Sequence, residues 1–382
     1  MTSADDIGSG EARIDSPTDA PTMHAPALAR TAPYYVELAR DQVVLWCRCG
    51  RSRKQPYCDG SHAGTGILPM RYMADHDEEV LFCGCKRTAT PPFCDGAHNA
   101  LLTAYASDDP DSEANRLVRP VAAVAEGKAL LDGGCFVCTV DRLNWQIGDG
   151  FCWAAPVAVR DGARHQALFC VDVQPDAAPV LDFGARQVAL LFTGGDATLS
   201  IGSRSFTLAA SPGAEVGACV LPGEAFRVAN NGRRRIRFFA AVGPIGEDFA
   251  DLPRWPGALP ARFDDGHGLR LAPVDPARKQ AMADRFFQVL VGKDHGASSL
   301  TQFIGEIPPG KALPHRHLYE ETLIVLAGAG TMWTETLKAP VSAGDVIFLP
   351  RKQLHSLQCI GDRPMLVAGV IHPGDNPSIN YY

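Results

Sequence analysis

Three groups of side chains in this sequence could hold metal. His315 and His317 lie two residues apart, and Glu321 follows four later. Two imidazoles and a carboxylate make the open-sided ligand set that suits non-haem iron(II) or a similar divalent ion. A fourth donor, His355, ends the stretch GDVIFLPRKQLH at 344–355. Two further groups lie nearer the start of the chain: Cys47, Cys49, Cys58 and His62, then Cys83, Cys85, Cys94 and His98. Three thiolates with one imidazole are consistent with zinc or with a [2Fe–2S] cluster.

Strands must position the first group. Residues of equal parity on a strand face one side. His315, His317 and Glu321 share parity within an apolar alternation, so a strand pair could aim all three at one point. The two stretches read G-x4-H-x-H-x3-E-x6-G at 310–328 and G-x5-P-x4-H at 344–355. Together they resemble the paired motifs of the cupin family. Four residues separate Pro350 from His355 where the family usually has two, and the first motif is one residue shorter between Gly310 and His315. The resemblance implies a small β-barrel that binds one divalent metal, expected to be Fe(II), through His315, His317, Glu321 and His355. Tyr319, Trp333 and Gln302 are candidates to shape its pocket. Glu320 is turned away from Glu321 by the strand.

The cysteine groups form an internal repeat, each ligand of the second copy lying 36 residues after its counterpart. A short β-like run precedes each copy (43–46 and 80–82), and Pro56 or Pro92 precedes its third Cys. Zinc ribbons usually use C-x2-C knuckles. The C-x-C spacing with CDGSH at 58–62 and CDGAH at 94–98 instead resembles the mitoNEET-type CDGSH iron–sulfur family, over about residues 35–105. That resemblance implies two [2Fe–2S] clusters in an internal pseudo-dimer, each with one solvent-near His. Asp59 and Asp95 are expected to shape the cluster loops. Lys54 and Lys86 or Arg87 could stabilise reduced-cluster charge.

A second repeat lies further along. Residues 173–195 align without gaps on 307–329, placing Leu181 at His315, Phe183 at His317 and Gln187 at Glu321; 220–227 on 348–355 places Arg227 at His355. The expected fold is mainly β: two tandem cupin (jelly-roll) barrels preceded by a small tandem CDGSH domain. Its parts are a disordered tail at 1–33 (His24 included), cluster motifs at 34–66 and 67–106, a linker at 107–120, a degenerate cupin without metal ligands at 121–250 and a metal-binding cupin at 270–382. A helix is expected at 277–290. The degenerate barrel is read as scaffold, with an anion site at Arg227 as the alternative. Cys135 and Cys138 form a C-x2-C in strand-like sequence and read as buried thiols rather than a redox pair. His165, His267, His295 and His372 read as structural or exposed.

Composition narrows the function. With 382 residues, 46% hydrophobic, the chain can bury two or three cores. Net charge is −7 and the longest basic run is Arg233, Arg234 and Arg235, which speaks against nucleic acid. Residues 1–20 have no apolar core of a signal peptide and no eighteen-residue apolar run occurs, so a cytoplasmic protein off the membrane is expected. Twelve cysteines in such a chain point to metal rather than disulfides. A one-electron carrier joined to a mononuclear barrel metal parallels the division of labour in Rieske-type oxygenases. The expected activity is a non-haem oxygenase or oxidase on a small molecule, using O2 and an electron-donating reductase, as monomer or homodimer. The alternatives are a cupin dioxygenase whose clusters only re-reduce the metal, and a non-catalytic redox or iron sensor.

Overall fold

The computed structural model describes residues 25–30, 33–98, 108–124, 127–246, 249, 253–282, 285–374 and 377. They fall into two compact units, 1–101 and 102–382. His24 and most of the 1–33 tail lie outside the described residues. Residues 25–30 are not free chain, however. Ala27 donates its N–H to the Cys49 carbonyl (2.9 Å) and Arg30 to that of Gly84 (3.2 Å). Loop carbonyls that would otherwise lack partners hold this segment in place.

Four short strands carry the cysteine copies of the smaller unit. They pair across the copies: Tyr34–Leu38 with Glu78–Phe82, and Val43–Trp46 with Met70–Met73, both antiparallel. Strands this short cannot bury a face alone. Crossing them gives both copies one core of Val36, Leu38, Val44, Trp46 and Phe82, with Tyr72 edge-on to Phe82 and Phe93 at 5.6 and 5.2 Å. The expected pseudo-dimer is this exchange.

The larger unit holds two β-barrels. In the first, a seven-stranded sheet runs Leu271–Pro273, Val216–Val220, Gln187–Phe192, Ile236–Gly243, Ala167–Val173, Phe151–Val157, Gln146–Ile147, over a four-stranded sheet that includes Val180–Asp182 and Ala225–Asn230. In the second, an eight-stranded sheet runs Gln280–Met282, Arg285–Val291, Thr301–Ile307, Met365–His372, Glu320–Ala327, Asp345–Leu349, Phe136–Thr139, Lys128–Leu130; its five-stranded partner includes Ser356–Ile360 and Ala329–Trp333. Among the described residues no helix is long and apolar enough to cross a membrane.

The barrels exchange strands. Phe136–Thr139 pairs with Asp345–Leu349, Phe136 opposite Phe348, so part of the 121–250 range completes the sheet of the second barrel. Arg119–Pro120 pairs in parallel with Leu337–Ser342, which makes the 107–120 stretch an edge strand as well as a connection. Asp132 fastens this segment by accepting from Thr334 and Thr336. In return Leu271–Pro273 joins the first barrel, anchored by the buried fork between Arg270 and Glu224 (2.7 and 2.9 Å).

The helix expected at 277–290 does not form. A 3-10 turn, Pro276–Arg278, leads into the strands Gln280–Met282 and Arg285–Val291. The apolar run fits helical spacing, but pairing with Thr301–Ile307 buries Phe287, Leu290 and Val291 and leaves Phe286 at the surface. Tertiary pairing overrides the local preference.

Candidate functional site

The three histidines converge. One donor atom from each of His315, His317 and His355 lies within 4.8 Å of the others, and among the described residues they are the one set of three or more that does so. His315 and His355 face each other across an antiparallel bridge with mutual backbone hydrogen bonds of 2.8 and 2.9 Å. The turn between Pro350 and His355, with Lys352 at φ 68° and its N–H on the His317 carbonyl (2.7 Å), accommodates the two extra residues and still returns His355 to the site. Nδ1 of His315 faces the Leu313 carbonyl at 2.8 Å, and Nδ1 of His355 that of Gln353 at 2.9 Å. Such contacts fix the tautomer and turn Nε2 into the ligand atom.

Glu321, expected as a ligand, falls outside this set and meets it only through His317, Oε2 to Nε2 at 3.3 Å. Burial pushes its carboxyl up to about 8 and the His355 imidazole down to about 4. His315 is pushed well below its ordinary value, by burial first and then by His355. Glu321, His355 and His315 are thus placed where their own charge is disfavoured. A divalent cation among neutral imidazoles and a carboxylate is the arrangement that suits such surroundings.

The other sequence candidates fall elsewhere. Tyr319 stacks on His317 (4.5 Å, 12°) and donates to the Pro377 carbonyl, supporting the ligand rather than lining its pocket. Trp333 lines a separate cavity of about 220 Å³ on the other side of His355, with Lys311 and Pro314. Gln302 points towards Gly217 of the first barrel. Glu320 does face away from Glu321. It accepts from the N–H groups of Arg164, His165 and Gln166 at 3.0, 3.2 and 3.0 Å.

In the first barrel the aligned positions hold apolar packing. Leu181 pairs with Phe226, not Arg227, so the register shifts the counterpart of His355 by one residue to a phenylalanine. Leu181, Phe183 and Phe226 are buried. Gln187 instead accepts from Ser298 and Ser299 of the second barrel at 3.0 Å. Arg227 faces the neighbouring strands opposite Val180 and Ser200. Cys135 and Cys138 are buried free thiols that pack into different cores, and burial pushes Cys138 up to about 12.

The two cysteine sites repeat each other in detail. Cys47 and Cys83 donate N–H to the carbonyls of Pro56 and Pro92, and Cys58 and Cys94 to those of Leu45 and Leu81, all at 2.8 Å. Donor atoms come in pairs: Cys47 and Cys49 sulfurs at 3.7 Å, Cys58 Sγ and His62 Nδ1 at 3.1 Å; in the second copy, 3.5 and 3.4 Å. A single tetrahedral zinc needs all four donors packed round one point, about 2.0–2.3 Å from it. Two separate pairs suit two irons. Asp59 accepts from the N–H groups of Arg53 (2.9 Å) and Ser61 (3.0 Å), and Asp95 from those of Ala89 and Ala97 (2.6 and 3.0 Å). These bonds shape each loop, with Gly60 and Gly96 turning through φ 92° and 82°.

Two differences break the symmetry. His62 is half-buried, but His98 is 1% exposed, so the expectation of a solvent-near histidine fails for the second copy. Lys86 occupies the place of Gly50, both in the left-handed region (φ 64° and 76°). A side chain at Gly50 would strike the Ala27 carbonyl. The Lys86 side chain is buried; its Nζ donates to the Cys83 carbonyl (2.9 Å) and lies 4.7 Å from the Trp46 ring. Burial lowers its pKa, while the charges of Cys47 and Cys83, one from each copy, act to raise it.

Residues 303–371 match the cupin domain family, and residues 28–63 match the family described as iron-binding zinc finger, CDGSH type. This chain carries a CDGSH domain and a cupin domain. Over 51 residues it is 43% identical to the Mus musculus "CDGSH iron-sulfur domain-containing protein 3, mitochondrial", across 13% of this chain and 37% of that one. The Homo sapiens protein of the same name is 47% identical over 49 residues, 12% of this chain and 39% of its own. The chain thus spans about two fifths of the length of these curated relatives. For the cupin part, Lactobacillus farciminis oxalate decarboxylase in a formate complex aligns with TM-score 0.47 at 16% identity, over 62% of this chain and 86% of that one. The putative glyoxylate induced protein of Pseudomonas aeruginosa aligns with TM-score 0.49 at 15% identity, over 67% and 95%. The CDGSH match supports iron–sulfur binding and the cupin match a metal-dependent protein.

Proposed function

We propose that this protein is a non-haem metal oxygenase or oxidase acting on a small molecule, with iron in the cupin barrel and two [2Fe–2S] clusters supplying electrons. The observation that carries the reading is the convergence of His315, His317 and His355 beside an apolar pocket, in a chain that also carries paired iron–sulfur ligand sets. A divalent metal held there would supply Lewis acidity and an open position for substrate or O2. The chain does the rest. The Leu313 and Gln353 carbonyls hold two imidazoles in one tautomer, and Tyr319 keeps the ring of His317 in plane. Buried leucines and phenylalanines around the donors exclude water, which strengthens electrostatic interactions inside. In the smaller unit Cys47, Cys49, Cys58 and His62 would hold one cluster and Cys83, Cys85, Cys94 and His98 the other, and Lys86 places a positive charge beside both.

The test needs no substrate. Protein reduced anaerobically with dithionite is mixed with O2, and cluster reoxidation is followed optically in wild type and in a His315→Ala/His317→Ala variant. Electron flow to the barrel metal predicts slower reoxidation in the variant. Equal rates would remove the electron-supply role and favour clusters that act as a sensor.

A further inference from the structure

The two cysteine copies carry different charge at their surfaces. From Cys47 to His62 the first has four basic side chains, Arg48, Arg51, Arg53 and Lys54, and one acidic, Asp59. At the places of those four, 36 residues on, the second copy has Gly84, Arg87, Ala89 and Thr90. Its other cation, Lys86, is buried. All four basic side chains of the first copy are exposed, and none is in an ion pair. In a chain of net charge −7 this is a local reversal of sign. The backbone beneath them is held in place. Ser52 donates to the Tyr57 carbonyl (2.5 Å) and accepts from the Lys54 N–H (3.0 Å), while Asp59 accepts from the N–H of Arg53 (2.9 Å). The same copy has its ligands nearer the surface. Cys58 and His62 are half-buried, whereas Cys94 and His98 are 4% and 1% exposed. Positive charge and access therefore coincide at one of the two cluster sites.

We infer that the 48–54 loop is the docking face for an acidic one-electron donor protein, which passes its electron to the site of Cys47, Cys49, Cys58 and His62. This rests on the reading of the clusters as electron carriers, and it adds the chemistry and the landing place of their donor. In the transfer the donor loses one electron and one iron of the first cluster gains it; no bond is made or broken. Unpaired basic side chains at a rim speed the arrival of an acidic partner more than they tighten its hold. That suits the small, short-lived contacts of electron-transfer pairs. Asp59 does not cancel the face, because its carboxylate is taken by the N–H groups of Arg53 and Ser61. A long polyanion such as nucleic acid meets the acidic remainder of the chain, which a compact acidic protein avoids.

An acidic flavodoxin, which gives up one electron at a time, is the probe. Binding of its oxidised form to holoprotein is measured by interferometry, and reduction of the clusters by its reduced form by anaerobic stopped-flow absorbance. Wild type is compared with Arg51→Glu/Lys54→Glu and with Arg233→Glu/Arg234→Glu, at low and high salt, with sulfide content determined in every sample. The two variants change net charge equally, and the second falls on the other exposed basic run of the chain. The inference predicts at least tenfold weaker binding and slower cluster reduction in Arg51→Glu/Lys54→Glu at unchanged sulfide, a change under twofold in the control, and loss of wild-type binding at high salt. Equal effects in the two variants, no effect in the first, or no flavodoxin binding by wild type at low salt overturns it. Tighter binding of a short single-stranded oligonucleotide than of flavodoxin overturns it as well, and assigns the face to nucleic acid. The electron-supply reading fails separately, in the reoxidation comparison of the histidine variant, which does not involve these residues.

Discussion

Lys86 shows how one residue can distinguish two otherwise repeated sites. At the place where the first copy has Gly50, it adopts a left-handed backbone that costs about 1 kcal/mol or more in a non-glycine residue and buries an ammonium group against Trp46 and the Cys83 carbonyl. A buried cation next to thiolates stabilises added negative charge. Lys86→Met is expected to lower the potentials of both clusters, by about 59 mV, a tenfold change in a one-electron equilibrium. Redox titration followed by EPR measures this, and unchanged potentials would assign the lysine a packing role only. The residue type and its nearness to a ligand were readable in the sequence; the burial that selects it over Lys54 and Arg87 was not.

At the scale of elements, the two barrels grip each other through equivalent devices. Glu320 takes the backbone N–H groups of Arg164, His165 and Gln166, while Gln187 takes those of Ser298 and Ser299. Glu320→Ala would remove the carboxylate that accepts from these three N–H groups, at a cost of about 2–4 kcal/mol. Urea denaturation should register that loss while metal content stays at the wild-type level, because Glu320 faces away from the histidines. A change within about 0.5 kcal/mol, the range of ordinary surface substitutions, would contradict the clamp. The ligand motifs were legible because their spacing, or a repeat of 36 residues, is local. The shared strand expected for His315, His317 and Glu321 is not what places them, since the strand begins at Glu320 and His315 sits on an isolated bridge before it. The exchange of strands was not legible. Phe136–Thr139 meets Asp345–Leu349 across some two hundred residues, and nothing in an apolar run names its partner. The 277–290 stretch misleads for the same reason: Phe286, Phe287, Val289 and Leu290 satisfy helical and strand periods alike until Thr301–Ile307 is present to pair with them.

At the scale of the molecule, one chain joins a unit that carries two sets of cysteine and histidine donors and a unit in which three histidines converge. Among its described residues the first barrel carries no such set; its aligned positions are Leu181, Phe183 and Phe226, and it contributes packing, a clamp and a strand exchange. The account therefore stands on metal stoichiometry. The measurement that tests it most directly is the iron and acid-labile sulfide content of anaerobically purified protein, set beside the His315→Ala/His317→Ala variant. Two [2Fe–2S] clusters and one barrel iron predict about four sulfides and about five irons per chain, with one iron and no sulfide lost in the variant. Sulfide near zero with zinc in the cysteine sites, or an iron count that the variant leaves unchanged, would contradict it.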